Sequence, residues 1–129
     1  MPLANVLIVD DDEKVRNALR RDLDALDFRL HFADRATAGL DILREHKVDI
    51  VICDNEMPGM NGLKFLRFVR QDYPAVVRIM LTGHATLATA ITAINQDEIF
   101  RFLEKPWDDQ DLRFVLLKAC ERIPKEARH

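Results

Sequence analysis

Short unbroken apolar runs alternate with helical stripes along this chain, and that alternation restricts the fold more than any other feature of it. Residues 4–9, with Val6, Leu7, Ile8 and Val9 consecutive, read as a strand covered on both faces, the pattern of a parallel sheet. Val15, Ala18, Leu19, Leu23 and Leu26 then form one face of a helix that starts in an acidic turn. Residues 28–33 alternate and read as a second strand, nearer an edge. Ala36, Gly39, Leu40 and Leu43 carry the next helix. Further strands are expected at 49–53, 76–81 and 99–103. They are followed by helical faces on Leu63, Leu66 and Val69, on Leu87, Ala90, Ile91 and Ile94, and on Leu112, Val115, Leu116 and Ala119. Asp108 is the expected N-cap of the last helix, with Trp107 and Leu112 at the two staple positions.

Five strands alternating with five helices make a (βα)5 unit of the α/β class: a doubly wound parallel sheet in a single domain. The length, 129 residues, suits one domain with a full core. The helical pattern stops near Ile123 and Pro124, so residues 1–123 are expected to form the domain and 124–129 a tail or the start of a linker. Nineteen Lys and Arg against 22 Asp and Glu give a net charge of −3, without the basic excess of a module that binds nucleic acid through phosphates. No apolar run approaches the ~20 residues that span a bilayer, and the start lacks the regions of a signal peptide. Cys53 and Cys120 are far apart and read as small apolar core residues, which fits a reducing cytoplasm. His31 and His46 show no partner spacing and read as surface residues.

Ligands of open α/β sheets bind beyond the carboxyl ends of the strands. Asp10, Asp11 and Asp12 follow the first strand, Asp34 the second and Asp54 the third; Thr82, Gly83 and His84 follow the fourth, and Glu104 and Lys105 the fifth. If the first and third strands are neighbours, Asp10, Asp11 and Asp54 converge. Carboxylates ~4 Å apart repel by several kcal/mol at an effective dielectric near 20, so three in one pocket want a cation. An all-oxygen donor set with room for water suits Mg2+. Cation, lysine and hydroxyl around one carboxylate are what phosphoryl transfer to that carboxylate needs.

Val9-Asp10-Asp11, the run from Asp54 to Gly62 (Asp-Asn-Glu-Met-Pro-Gly-Met-Asn-Gly), Thr82-Gly83 and Lys105-Pro106, in order and each at a strand end, resemble a two-component response regulator receiver domain over residues 4 to 121. The resemblance implies a flavodoxin-like sheet of order 2-1-3-4-5. It makes Asp54 the phosphoacceptor, attacking a phosphohistidine on a sensor histidine kinase or histidine phosphotransfer protein. Mg2+, for which Mn2+ can substitute, would be held by Asp10, Asp11, Asp54 and the backbone carbonyl of Glu56. Lys105 would contact the phosphoryl group, Thr82 would turn inward to bond it, and the Lys105-Pro106 bond would be cis. Phe102 stands at the switch aromatic, where many receivers have tyrosine, so any switch here rests on packing alone. Glu56 and His84 occupy positions that tune dephosphorylation. The switch would alter the surface of the fourth helix, fifth strand and fifth helix, through which a homodimer can form. The stretch from Thr82 to Asp109 resembles receivers of hydrogenase-type transcriptional regulators and HD-GYP regulators, which implies a C-terminal output domain in a longer chain. A receiver accepts a phosphoryl group and is not a dedicated enzyme.

Read singly, these residues have plainer roles. Asp10 to Asp12 complement a helix N-terminus, residues 54–62 form a Pro- and Gly-closed loop, Thr82 caps a strand and Lys105 is a solvated charge. Their coincidence at one sheet edge argues for the site. Two other functions compete with this reading. An aspartate-based phosphatase of the haloacid-dehalogenase type needs a second Asp where Glu56 stands, and its motif follows the first strand. A degenerate receiver, acting as a phosphorylation-independent interaction module, sits poorly with acidic, hydroxyl and lysine positions that are all filled.

Overall fold

The computed structural model describes residues 2–124. The elements run β1 (Ala4–Val9), α1 (Glu13–Asp24), β2 (Phe28–Ala33), α2 (Ala36–Glu45), β3 (Ile50–Asp54), α3 (Gly62–Asp72), β4 (Val77–Thr82), α4 (Leu87–Asn95), β5 (Arg101–Glu104) and α5 (Asp109–Arg122). All strands pair in parallel in the order β2-β1-β3-β4-β5, the flavodoxin-like doubly wound arrangement. The expected tail beyond Pro124 lies outside the described residues.

The unbroken apolar runs are explained by burial on both faces of the sheet. Leu7, Val9, Val51, Cys53 and Met80 point to one side, where they pack with Leu43 of α2, Phe65, Leu66 and Val69 of α3, and Ala90 and Ala93 of α4. Val6, Ile8, Ile50, Ile52, Ile79 and Leu81 point to the other, against Leu19 and Leu23 of α1 and Leu112, Val115, Leu116 and Ala119 of α5. The side-chain period of two divides each strand between the two cores. Asp12 caps α1 by accepting from the Lys14 N–H at 2.9 Å, and Asp108 caps α5 by accepting from the Gln110 N–H at 2.7 Å. Trp107 and Leu112 join the same core, and the Trp107 indole also donates to Asp22 of α1 at 2.8 Å.

Several expectations need correction. β3 and β4 each sit one residue later than the apolar run suggests, because ladder pairing carries Asp54 opposite Leu81 and Thr82 opposite Glu104. β5 begins at Arg101 rather than residue 99. Ile99 is buried, but the ladder starts where Arg101 meets Ile79. α4 is preceded by a short 3-10 turn, His84–Thr86, and its inner face keeps the expected Ala90 but takes Ala93 in place of Ile91 and Ile94. Ala90 and Ala93 are its buried residues, whereas Ile91 is 46% and Ile94 36% exposed. The two small side chains form the inner seam, and the bulky ones are left outside. His31 and His46 are also not isolated: their rings lie 4.7 Å apart, between edge strand β2 and the C-cap of α2. Burial, then the charges of His46 and Arg29, push the His31 imidazole below its ordinary value.

Two predictions come from this packing. Phe65 is fully buried at the centre of the α2–α4 side, so Phe65→Ala should cost about 3–5 kcal/mol of unfolding free energy in a urea titration. Arg67 of α3 grips Glu98, in the loop before β5, with both Nε and Nη2, and this hydrogen bonding together with the positive charge holds the Glu98 carboxyl below its usual range. A depressed carboxyl stabilises the fold above the unfolded-state pKa, and the gain is lost as pH falls through the folded value. Arg67 is largely exposed, so Glu98→Gln should cost no more than about 1 kcal/mol at neutral pH. The gap between wild type and variant should close on acidification below the carboxylate range.

Candidate functional site

The carboxyl ends of β1 and β3 are adjacent in the sheet, with Val9 paired to Cys53. The next residues on each strand therefore meet. Ligand oxygens of Asp10, Asp11 and Asp54 all lie within 4.8 Å of one another. Asp10 is fully buried and Asp54 nearly so, while Asp11 is exposed at the mouth. Lys105 reaches in from the loop after β5, placing its ammonium 3.3 Å from Asp10 Oδ2 and 3.1 Å from Asp54 Oδ1. The Lys105-Pro106 bond is cis, as the resemblance implies.

The electrostatics follow from this crowding. Burial is the main force raising the Asp10 carboxyl above its ordinary value, and the Asp54 charge adds to it; the Asp12 N–H and Lys105 oppose them. At Lys105 burial pulls the ammonium down, but the two carboxylates outweigh it and hold it above its usual range. Cys53 is driven well up, by burial first and then by the Asp54 and Asp10 charges, so its thiol stays protonated and it serves the core. One lysine thus serves two of the three acidic groups, Asp10 and Asp54. The oxygen-only donor set, with one member open to solvent, fits a hard divalent cation that keeps part of its water shell.

The loops hold this arrangement from behind. Asp10 Oδ1 accepts from the Asp12 N–H at 2.8 Å, and Arg16 of α1 donates to the Asp10 carbonyl at 2.7 Å. The Asn55 N–H bonds Leu81 O at 3.0 Å and the Gly62 N–H bonds Asn55 O at 2.9 Å, which folds the loop after β3 back upon itself. At Gly62 a Cβ would stand 1.9 Å from the Asp54 carbonyl oxygen, so only glycine allows α3 to start this close to β3.

Thr82 ends β4 fully buried, with its hydroxyl bonded to Thr86 and to the Gly83 carbonyl at 3.1 Å. Phe102 on β5 is half-buried against the α2–α4 core. Glu56 is exposed, and His84 is almost fully exposed, with Nδ1 3.7 Å from Glu104. The fold therefore brings Asp10, Asp11, Asp54 and Lys105 into one cluster, while Glu56 lies exposed in the loop after β3 and His84 exposed in the turn after β4. Arg16 and Thr86 carry no signal of their own in the sequence. Arg16 lies one helical turn beyond the acidic run, and Thr86 lies in a turn that periodicity does not reveal.

The response regulator receiver domain family matches residues 6–116. The chain is 35% identical over 118 residues to the hydrogenase transcriptional regulatory protein HoxA of Cupriavidus necator, covering 92% of this chain and 24% of that protein. It is 37% identical over 123 residues to a putative NtrX-like response regulator of Rickettsia bellii, covering 94% of this chain and 26% of that one. It thus spans about a quarter of the length of these curated relatives. Among solved structures, the signal receiver domain of an HD domain-containing protein from Pseudomonas fluorescens Pf-5 superimposes with a TM-score of 0.86 at 42% identity, covering 92% of this chain and 94% of that one.

Gly62→Ala should force the loop after β3 away from Asp54 and destabilise the domain by about 1–3 kcal/mol. A urea titration reads the loss, and amide shifts of Asp54 and Asn55 read the displacement.

Proposed function

The chain belongs to the response regulator receiver domain family, and from that premise we propose that it accepts a phosphoryl group on Asp54 and passes the event on as a changed docking surface. The observation that carries this reading is the meeting of Asp10, Asp11 and Asp54 within 4.8 Å, with the Lys105 ammonium 3.1 Å from Asp54. In the step proposed, an Asp54 carboxylate oxygen forms a bond to the phosphorus of a phosphohistidine on a sensor kinase or phosphotransfer protein. The N–P bond breaks, and the imidazole leaves with the electron pair and takes up a proton. The chain is in this reading a substrate and switch, not a dedicated enzyme.

Asp10, Asp11, Asp54 and the Glu56 carbonyl would hold Mg2+, or Mn2+ in its place. The bound ion would offset charge on the transferring oxygens. Lys105 complements it, because the ammonium now shared by two carboxylates is positioned to meet an added phosphoryl oxygen. Thr82 must give up its bond to Thr86 to reach the same group, which makes the Thr82–Thr86 contact part of the resting arrangement. Phe102 would follow it inward by packing alone. Glu56 and His84, exposed in the segments that follow β3 and β4, would set how long the phosphoryl group survives.

The surface to be altered is α4, β5 and α5. It carries Ile91, Ile94, Phe114 and Leu117, between 36% and 53% exposed, which suits a homodimer or a C-terminal output domain of a longer chain. We place the protein in the cytoplasm with its kinase; among the described residues no helix is long and apolar enough to cross a membrane. Residues 1–123 would be the receiver and 124–129 the way into a linker.

Acetyl phosphate with Mg2+ should add one phosphoryl mass to the wild type and none to Asp54→Asn. Equal labelling of the variant, or a wild type that never labels even under rapid quenching, would overturn the acceptor assignment. The latter result would favour an interaction module. Asp11→Ala should weaken Mg2+ binding about tenfold or more, followed through Trp107 fluorescence, since it removes a direct ligand. Lys105→Ala should keep the metal yet lose the amide-shift changes on α4 and β5 that accompany phosphorylation.

A further inference from the structure

The opposite end of the sheet holds a second charged site. Between the start of β4, the start of β5 and the end of α5 lies a cavity of about 510 Å3, within the range that takes a small ligand. Arg78, Arg101 and Arg122 line it, and among the described residues Asp97 is the only carboxylate that does. The guanidinium groups of Arg101 and Arg122 both stand against one ring, 5.1 Å and 5.0 Å from the centre of Phe100. Among the described residues neither is paired with a carboxylate or donates a hydrogen bond to the protein, although each guanidinium carries five donors.

Arg78 is the anchor of the group. Its Nε donates to the Glu98 carbonyl at 2.9 Å and its Nη1 to the Val76 carbonyl at 3.2 Å, so it is held at the wall by backbone alone. Burial, then the charge of Arg70, push this guanidinium below its ordinary value; Asp97 opposes them. Glu98, whose carbonyl Arg78 bonds, has its carboxylate paired with Arg67. Three like charges facing a single carboxylate raise the local potential, and an anion bound among them would relieve it. Arginine forks match phosphate oxygens two at a time, which a lysine or a lone helix end does not. Three guanidiniums against one aspartate call for more than a single negative charge.

We propose that this cavity binds a small molecule through a diphosphate group, held between Arg101 and Arg122 with Arg78 behind. The site is distinct from the carboxylate cluster. Val77 and Arg101 open the strands whose other ends are Thr82 and Glu104, so the length of β4, roughly 17 Å, separates the two. Its occupancy needs neither Mg2+ nor Asp54, and the two sites can be tested apart.

The test is a titration of the whole chain with inorganic pyrophosphate and, separately, ADP, without divalent metal or phosphodonor, followed by backbone amide shifts. The expected result is a saturable change at Phe100, Arg101 and Arg122, weakened roughly tenfold or more in Arg101→Ala and Arg122→Ala. Arg101→Lys should fall between, because it keeps the charge and loses the fork. Arg20→Ala removes an arginine stacked on Phe32 elsewhere and should leave the affinity unchanged. Equal affinity for both probes would assign the diphosphate alone, and tighter ADP a nucleotide. No saturable shift with either probe would overturn the proposal, as would shifts confined to the Asp54 end. An equal loss in Arg20→Ala, or shifts at Phe100 that follow protein concentration rather than ligand, would do the same. Circular dichroism of each variant confirms that a lost response is not a lost fold.

Discussion

The ammonium of Lys105, set between Asp10 and Asp54, is the contact on which the carboxyl edge of this domain depends. Three acidic groups meet there because β1 and β3 are neighbours, and two of them are buried where water cannot screen them. Without a counter-charge, that arrangement would strain the centre of the sheet. The lysine arrives from the loop after β5, two strands away from β3, so it also ties the sheet's edge to its middle. Any group that adds negative charge at Asp54 must draw on the same ammonium, which couples chemistry at the centre to the position of β5 and its loop. The opposed pulls at Asp10 and Lys105, burial against the partner's charge, are two expressions of that one balance.

The coupling has a physical route to the outer surface. Thr82 and Glu104 are paired at the ends of β4 and β5, and Thr82 is held by Thr86 in the turn that leads into α4. The buried seam of α4 is made of two alanines, Ala90 and Ala93. Its larger side chains, Ile91 and Ile94, face outward, as do Phe114 and Leu117 of α5. These apolar side chains lie on the face through which the proposed switch would be read. The arginines at the far end of β4 and β5 sit on the same two strands, so a ligand there would bear on the elements that the phosphoryl switch is proposed to move.

Much of the fold is legible in the sequence because burial on both faces leaves a local trace. Short apolar runs set between stripes of helical period mark each strand and helix, and β1 and β2 begin and end where the pattern predicts. The departures share one cause. The ends of β3, β4 and β5 are set by which residue of a neighbouring strand supplies the hydrogen bonds, and that neighbour is remote in the chain. On α4 the expected Ala90 is buried, but periodicity also favours the large Ile91 and Ile94, whereas close packing there selects the small Ala93. His31 and His46 look unrelated in the sequence for the same reason: only the seating of α2 against β2 brings them together.

What the sequence determined by itself is the set of elements and the kinds of residue that terminate them: acids after β1 and at the end of β3, a threonine at the end of β4 and a lysine after β5. Hydrophobic periodicity and turn chemistry are local, so they survive in a single chain read end to end. The tertiary structure decided which terminations meet. It placed Asp10 beside Asp54, gave Lys105 to both, assigned Thr86 to Thr82, and gathered Arg78, Arg101 and Arg122 from two strands and a helix around one cavity. These are non-local distances set by strand order and helix packing, and no spacing along the chain encodes them.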